Sequence, residues 1–188
     1  DEPPPSRWPG SAAGAIDAWR RRQALHPHPV TGEGLLLTLA HPRGILFRAG
    51  KPSRDHAWAL FNNLGYDRSV PVGEGDNAWM LEPAGAEGPT AMDFDALEVV
   101  NRMGLDKYRE VRQDWFAMLN QGFRITGMGN SDSHALAVEL VGMPRNLIYG
   151  GLGDDRELDL QALVEASREG RVTVTTGPIL ELELVAGE

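Results

Sequence analysis

The chain has 188 residues, of which 41% are hydrophobic and 24% charged; this fits a folded domain and excludes a disordered tail or a coiled coil. Its 18 Lys and Arg stand against 27 Asp and Glu, a formal charge of −9 that argues against nucleic acid as a partner. There is no Cys, which excludes disulfides, thiolate nucleophiles and Cys-bound zinc and leaves His, Asp and Glu as the only strong metal ligands.

Residues 1–10 open Asp1-Glu2-Pro3-Pro4-Pro5 and read as a linker or a cut end. A helix is expected over 11–25, with Ser11 as its cap and Ala15, Ile16 and Trp19 on its apolar side. The prolines of His26-Pro27-His28-Pro29 end it. Residues 35–40 are a continuous apolar run and read as a strand buried on both faces of a parallel sheet. A second helix is expected over 53–64, and 65–92, rich in Gly, Pro and Glu, as a long excursion loop. A strand over 94–100 leads to an amphipathic helix over 106–121, whose Tyr108, Trp115, Phe116 and Leu119 are expected to pack in the core. Strands follow over 123–128 and 146–149, with a turn at Gly129-Asn130-Ser131-Asp132-Ser133 after the first. A helix over 158–168 and strands over 171–176 and 179–185, bent at Gly177-Pro178, complete the series. Strands alternating with helices indicate an α/β architecture with a mostly parallel sheet. No apolar run approaches the roughly 20 residues of a membrane-spanning helix, so no membrane partner is expected.

In such sheets the chemistry collects where strands end. His41 follows the first strand, Asn101 the strand over 94–100, and Asn130, Asp132 and His134 the strand over 123–128. An Asp-x-His unit in an extended turn can present a carboxylate and an imidazole to one cavity, the O and N donor mixture that borderline divalent ions use. An acidic chain can then bind a small anion if a metal supplies the positive charge. Alone, the triplet is equally a turn Asp bonded to backbone beside a surface His.

The stretch Asp95-Ala96-Leu97-Glu98-Val99-Val100-Asn101, then Asp114-Trp115-Phe116, then Gly129-Asn130-Ser131-Asp132-Ser133-His134 resembles the PHP (polymerase and histidinol phosphatase) superfamily, most of all its carbaryl-hydrolase-like branch. Leu39-Ala40-His41-Pro42-Arg43-Gly44, Val141-Gly142-Met143-Pro144-Arg145 and Thr175-Thr176-Gly177-Pro178 add to the likeness. The resemblance covers nearly the whole chain and runs along the family's later half. It implies a partial distorted (β/α)7 barrel over 11–188, with mostly parallel strands, helices outside and the N-terminal strands missing. It also implies divalent zinc, manganese or iron, bound in part by His41, Asp132 and His134, and hydrolysis of phosphate esters or related esters and carbamates by metal-bound hydroxide. On that reading Arg43 and Arg145 hold the anionic substrate, and Asn101 and Asn130 orient ligands from behind.

The departures bear on the expectation. The family's opening His-x-His strand has no counterpart: His26 and His28 are separated by proline and read as loop residues, and His56 as a surface residue. Glu98, inside a strand, either faces the cleft or pairs with an Arg, and Asp114 is expected to orient an Arg or cap a neighbouring element. Three ligands do not complete a multinuclear site, so the isolated chain is expected to bind metal poorly and to turn over little substrate. The open sheet edge invites self-association. The alternative is a PHP-like module without catalysis that binds a small anion or a partner.

Overall fold

The computed structural model describes residues 11–25, 36–43, 46–48, 51–53, 59–102, 105–134, 140–150 and 157–179. They form a mixed α/β structure around a three-stranded parallel sheet in the order β1-β4-β5. His26, His28, His56 and nearly all of the strand expected over 179–185 lie outside these residues.

Helix α1 (Ala12–Leu25) starts where Ser11 accepts the Gly14 N–H on its Oγ at 3.0 Å, and it buries the small side of Ala12, Ala13 and Ala15. The next strand, β1 (Thr38–Leu39), is shorter than the apolar run around it and pairs in parallel with β4 (Ala96–Asn101), Thr38 opposite Ala96. Between them lie a hairpin, β2 (Leu46–Arg48) against β3 (Lys51–Ser53), and one helical turn, α2 (Leu60–Asn63); of the helix expected over 53–64, residues 54–58 lie outside the described residues. Ser53, expected as the helix cap, sits at the end of β3. Pro52 beside it lacks the amide a ladder needs but is tolerated in so short a strand.

Residues 65–92 are irregular apart from a 3-10 turn over Gly75–Met80, yet they fold onto the core. Tyr66, Val72, Met80 and Met92 are buried with Phe61, Leu97 and Met118. Asn77, fully buried, clamps this stretch: its Oδ1 accepts the Asp67 N–H at 3.0 Å, and its Nδ2 donates to the Asp67 and Val70 carbonyls at 2.7 Å each. A side-chain amide here replaces the backbone ladder that irregular chain lacks.

Strand β4 carries four buried residues in succession, from Ala96 to Val99, as expected of a central strand covered on both faces. Helix α3 (Leu105–Asn120) joins it to the parallel β5 (Thr126–Asn130). The helix turns Val111, Asp114 and Met118 inward, whereas Phe116 and Leu119, expected in the core, are exposed. The reason is angular: 111, 114, 115 and 118 form one stripe at helical spacing, and 116 and 119 fall beyond its edge. Trp115 closes the stripe by donating Nε1–H to the Ile125 carbonyl at 2.8 Å.

The final strands depart from the mostly parallel expectation. β6 (Arg145–Ile148) and β7 (Val172–Thr175) pair antiparallel across α4 (Leu160–Arg168), which Asp159 caps through the Ala162 N–H at 3.0 Å. This pair docks beside β5 through a side chain: Asn146 accepts from Gly129 N and donates to Gly129 O, both at 2.9 Å. Gly129 has no room for more, since a Cβ there would lie 2.4 Å from Val174 Cγ1. Among the described residues no helix is long and apolar enough to cross a membrane.

Candidate functional site

The three parallel strands end on one rim. His41 stands two residues past β1, Asn101 closes β4 with Arg102 just after it, and Asn130 closes β5 ahead of Asp132 and His134. Asn101 and Asn130 are register partners, so β4 and β5 deliver their last side chains next to each other. At this rim the backbone is strained. His41, Arg102 and Asp132 have φ of 48°, 52° and 47°, and among the described residues no other non-glycine has a positive φ. Each costs about 1–2 kcal/mol relative to ordinary backbone (least for Asp), and such residues cluster at functional sites.

Glu98, 2% exposed, is the hub. Its Oε2 accepts the His41 backbone N–H at 2.6 Å and lies 3.1 Å from His41 Nδ1. Its Oε1 accepts from Asn101 Nδ2 at 3.1 Å and Asn130 Nδ2 at 2.9 Å. Burial alone pushes this carboxyl up, but the bonds from His41, Asn101 and Asn130 outweigh it and hold the group at about 2. The same contact raises the His41 imidazole above its ordinary value, the Glu98 hydrogen bond prevailing over partial burial. With its proton on Nδ1 facing Glu98, His41 cannot accept from Asn101 Nδ2, 3.2 Å away; that amide serves the carboxylate instead. Nε2 is left as the ring's outward lone pair in the neutral form. Asn101 and Asn130 therefore act behind His41, through the carboxylate they share.

Across the rim, Arg102 bridges the other two candidates. Its Nε and Nη2 each stand 3.1 Å from Asp132 Oδ2, and Nη2 also meets His134 Nε2. Asp132 Oδ2 and His134 Nε2 are 3.9 Å apart. Two ligands about 2.0–2.1 Å from a tetrahedral ion stand roughly 3.3–3.4 Å apart. The pair therefore fits one divalent ion after a small contraction, provided Arg102 leaves. His41 fits through Nε2, since metal-bound imidazoles usually give their other N–H to a carboxylate, as His41 does to Glu98. Among the described residues, however, no group of three or more His, Asp or Glu is gathered closely enough to hold a metal ion.

The two arginines expected at substrate are used within the fold. Arg43, whose side chain is 12% exposed, gives Nε and Nη2 to the two oxygens of fully buried Asp114 at 2.6 and 3.1 Å, and Nη2 also to the Tyr66 carbonyl. Arg68 Nε adds a second cation 3.0 Å from Asp114. This corrects Arg43 from substrate contact to brace, because its planar fork is matched by a protein carboxylate. It also gives Asp114 the Arg-orienting role read from the sequence. Arg145 is exposed and reaches the Gly177 carbonyl at 3.4 Å, tying β6 to the bend after β7.

Of the site residues, Arg102 escaped sequence reasoning, and Glu98, read as facing the cleft or pairing with an Arg, pairs instead with His41. Glu98 carried a signal, a charge between Leu97 and Val99 in a strand buried on both faces, which requires partners. Arg102 carried none, since an Arg just past a strand is ordinary. Beside Arg102 lies a cavity of about 620 Å³, lined mainly by Tyr108, Trp115, Val100, Val172 and Val174. Comparison with known proteins found no matching family model, no matching curated protein and no matching solved structure.

Proposed function

We propose that this chain supplies the later part of a PHP-type, metal-dependent hydrolase domain, a partial (β/α)7 barrel acting on phosphate esters or related esters and carbamates. The observation that carries the reading is the Glu98–His41 pair: a buried carboxylate fixes an imidazole with Nε2 outward on the rim that also presents Asp132 and His134. His41, Asp132 and His134 would hold divalent zinc, manganese or iron. Such ions, when bound, activate water and offset charge on the ester oxygen. Glu98 keeps His41 in the ligating tautomer, and Asn101 and Asn130 keep Glu98 ionised and in place. The neighbouring cavity offers apolar surface to the organic part of a small substrate.

The test is metal analysis of the full-length protein that carries this chain, paired with assays on a generic phosphodiester and a generic carboxylester. The reading requires bound divalent metal and turnover that a chelator abolishes and that His41→Ala and His134→Ala reduce at least a hundredfold. Metal-free protein with no turnover on either substrate refutes it. A second reading, a PHP-like binding module without catalysis, is favoured by one observation: Arg102 already neutralises Asp132 and engages His134. Under that reading the same substitutions leave function intact.

A further inference from the structure

Resting on the metal-dependent reading, we propose that the Arg102 guanidinium and a divalent cation are alternative occupants of the notch between Asp132 and His134. Arg102 thereby sets how tightly metal is held there.

The two atoms that a metal would use are those Arg102 engages. Nε and Nη2 converge on a single oxygen, Asp132 Oδ2, at 3.1 Å each, and Nη2 meets His134 Nε2. Guanidinium nitrogens only donate, so His134 Nε2 accepts and the ring carries its proton on Nδ1. That is the tautomer a metal at Nε2 needs. The arginine thus keeps the imidazole primed and the carboxylate neutralised while it fills their shared space. Simultaneous occupancy is excluded, because one nitrogen lone pair cannot serve both and the two cations repel at contact distance.

The backbone aims the side chain at the notch. Arg102 has φ of 52°, and its N–H donates to the Asn130 carbonyl at 3.0 Å, which anchors it to the neighbouring strand. Displacement is open to it as well: the Arg102 side chain is 42% exposed and His134 is 67% exposed, so the guanidinium can swing into water. Such solvated pairs are modest in strength. The expected competition is therefore about three- to tenfold in metal affinity, not a block.

The experiment is calorimetric titration of the chain with Zn²⁺ in wild type, Arg102→Met and Arg102→Lys, extended to millimolar metal. In parallel, the Arg102 Nε–H NMR signal, assigned by its loss in Arg102→Met, is followed through the titration. The proposal requires Arg102→Met to bind Zn²⁺ about three- to tenfold more tightly, Arg102→Lys to fall between, and the wild-type signal to shift to a solvent-like position at saturation. Asp132→Asn must remove the gain. Equal affinities, a signal that stays in place, or a gain that survives Asp132→Asn would each overturn it. Zinc binding that Asp132→Asn abolishes but Arg102→Met leaves unchanged ends the competition alone and spares the hydrolase reading. Absence of binding in every variant overturns the proposal, while the hydrolase reading stands or falls with metal analysis of the full-length protein.

Discussion

Glu98→Gln in the metal-free chain isolates the hub's contribution. The Glu98 carboxyl lies at about 2 against an ordinary 4.5. At 1.36 kcal/mol per pH unit that interval corresponds to roughly 3 kcal/mol of stability, carried by a group almost wholly removed from solvent. Because the folded value is depressed, this stability is present above pH 4.5 and is lost as pH falls through about 2. His41 works in the opposite sense: its folded value is raised, so its contribution is complete below 6.5 and fades as pH rises through that folded value. The pair therefore gives most stability between about pH 4.5 and 6.5. Glutamine keeps the shape but turns an NH2 toward donors, which leaves at least one of His41 N, Asn101 Nδ2 and Asn130 Nδ2 unpaired. Urea unfolding in EDTA, followed by Trp fluorescence from pH 2 to 8, should show wild type more stable by about 3 kcal/mol near pH 5.5. The gap should close toward pH 2, where Glu98 itself is taking up its proton. A difference that is absent, or constant across that range, would refute the account of the hub.

Two further perturbations probe the frame behind the rim. Arg43→Met strands the buried Asp114 carboxylate beside Arg68 alone and should cost about 3–5 kcal/mol, with part recovered by adding Asp114→Asn; chemical denaturation of the single and double variants checks it. Tyr66, 4% exposed, has a hydroxyl with no hydrogen-bond partner among the described residues, so Tyr66→Phe should be neutral or up to about 1 kcal/mol stabilising in thermal melts. Burial raises that phenol to about 12, so above about pH 10 the unfolded phenol ionises first and the fold loses stability as pH climbs through about 12. Tyr66→Phe should remove that alkaline loss.

The elements legible in the sequence were those whose burial repeats at a regular spacing. The run around Leu97 and the stripe through Val111, Trp115 and Met118 each name a face, and β4 and α3 lie within a residue or two of the expected bounds. The strand-end rule likewise put His41, Asn101, Asn130, Asp132 and His134 on one rim of the sheet. Local pattern could not reveal which of them touch. Glu98 joins His41 to Asn130 only because β4 sits between β1 and β5, an ordering set by long-range pairing. Residues 65–92 are irregular, as a loop should be, but their docking on the core was not legible: Asn77 organises them through three side-chain hydrogen bonds within ten residues of itself, and no periodicity records a clamp of that kind. At Ser53 a cap pattern says nothing of the chain before it, and pairing across Phe47 and Pro52 carries that residue into β3.

The left-handed turns at 41, 102 and 132 give any comparison of related chains a built-in filter. Conformation at those places favours glycine or asparagine, whereas the imidazole, guanidinium and carboxylate are held there against that preference. Lineages in which the pocket has lost its task should relax first at these three positions, trading side chain for an easier bend. Lineages that keep all three despite divergence elsewhere would mark the rim as still under selection for its chemistry.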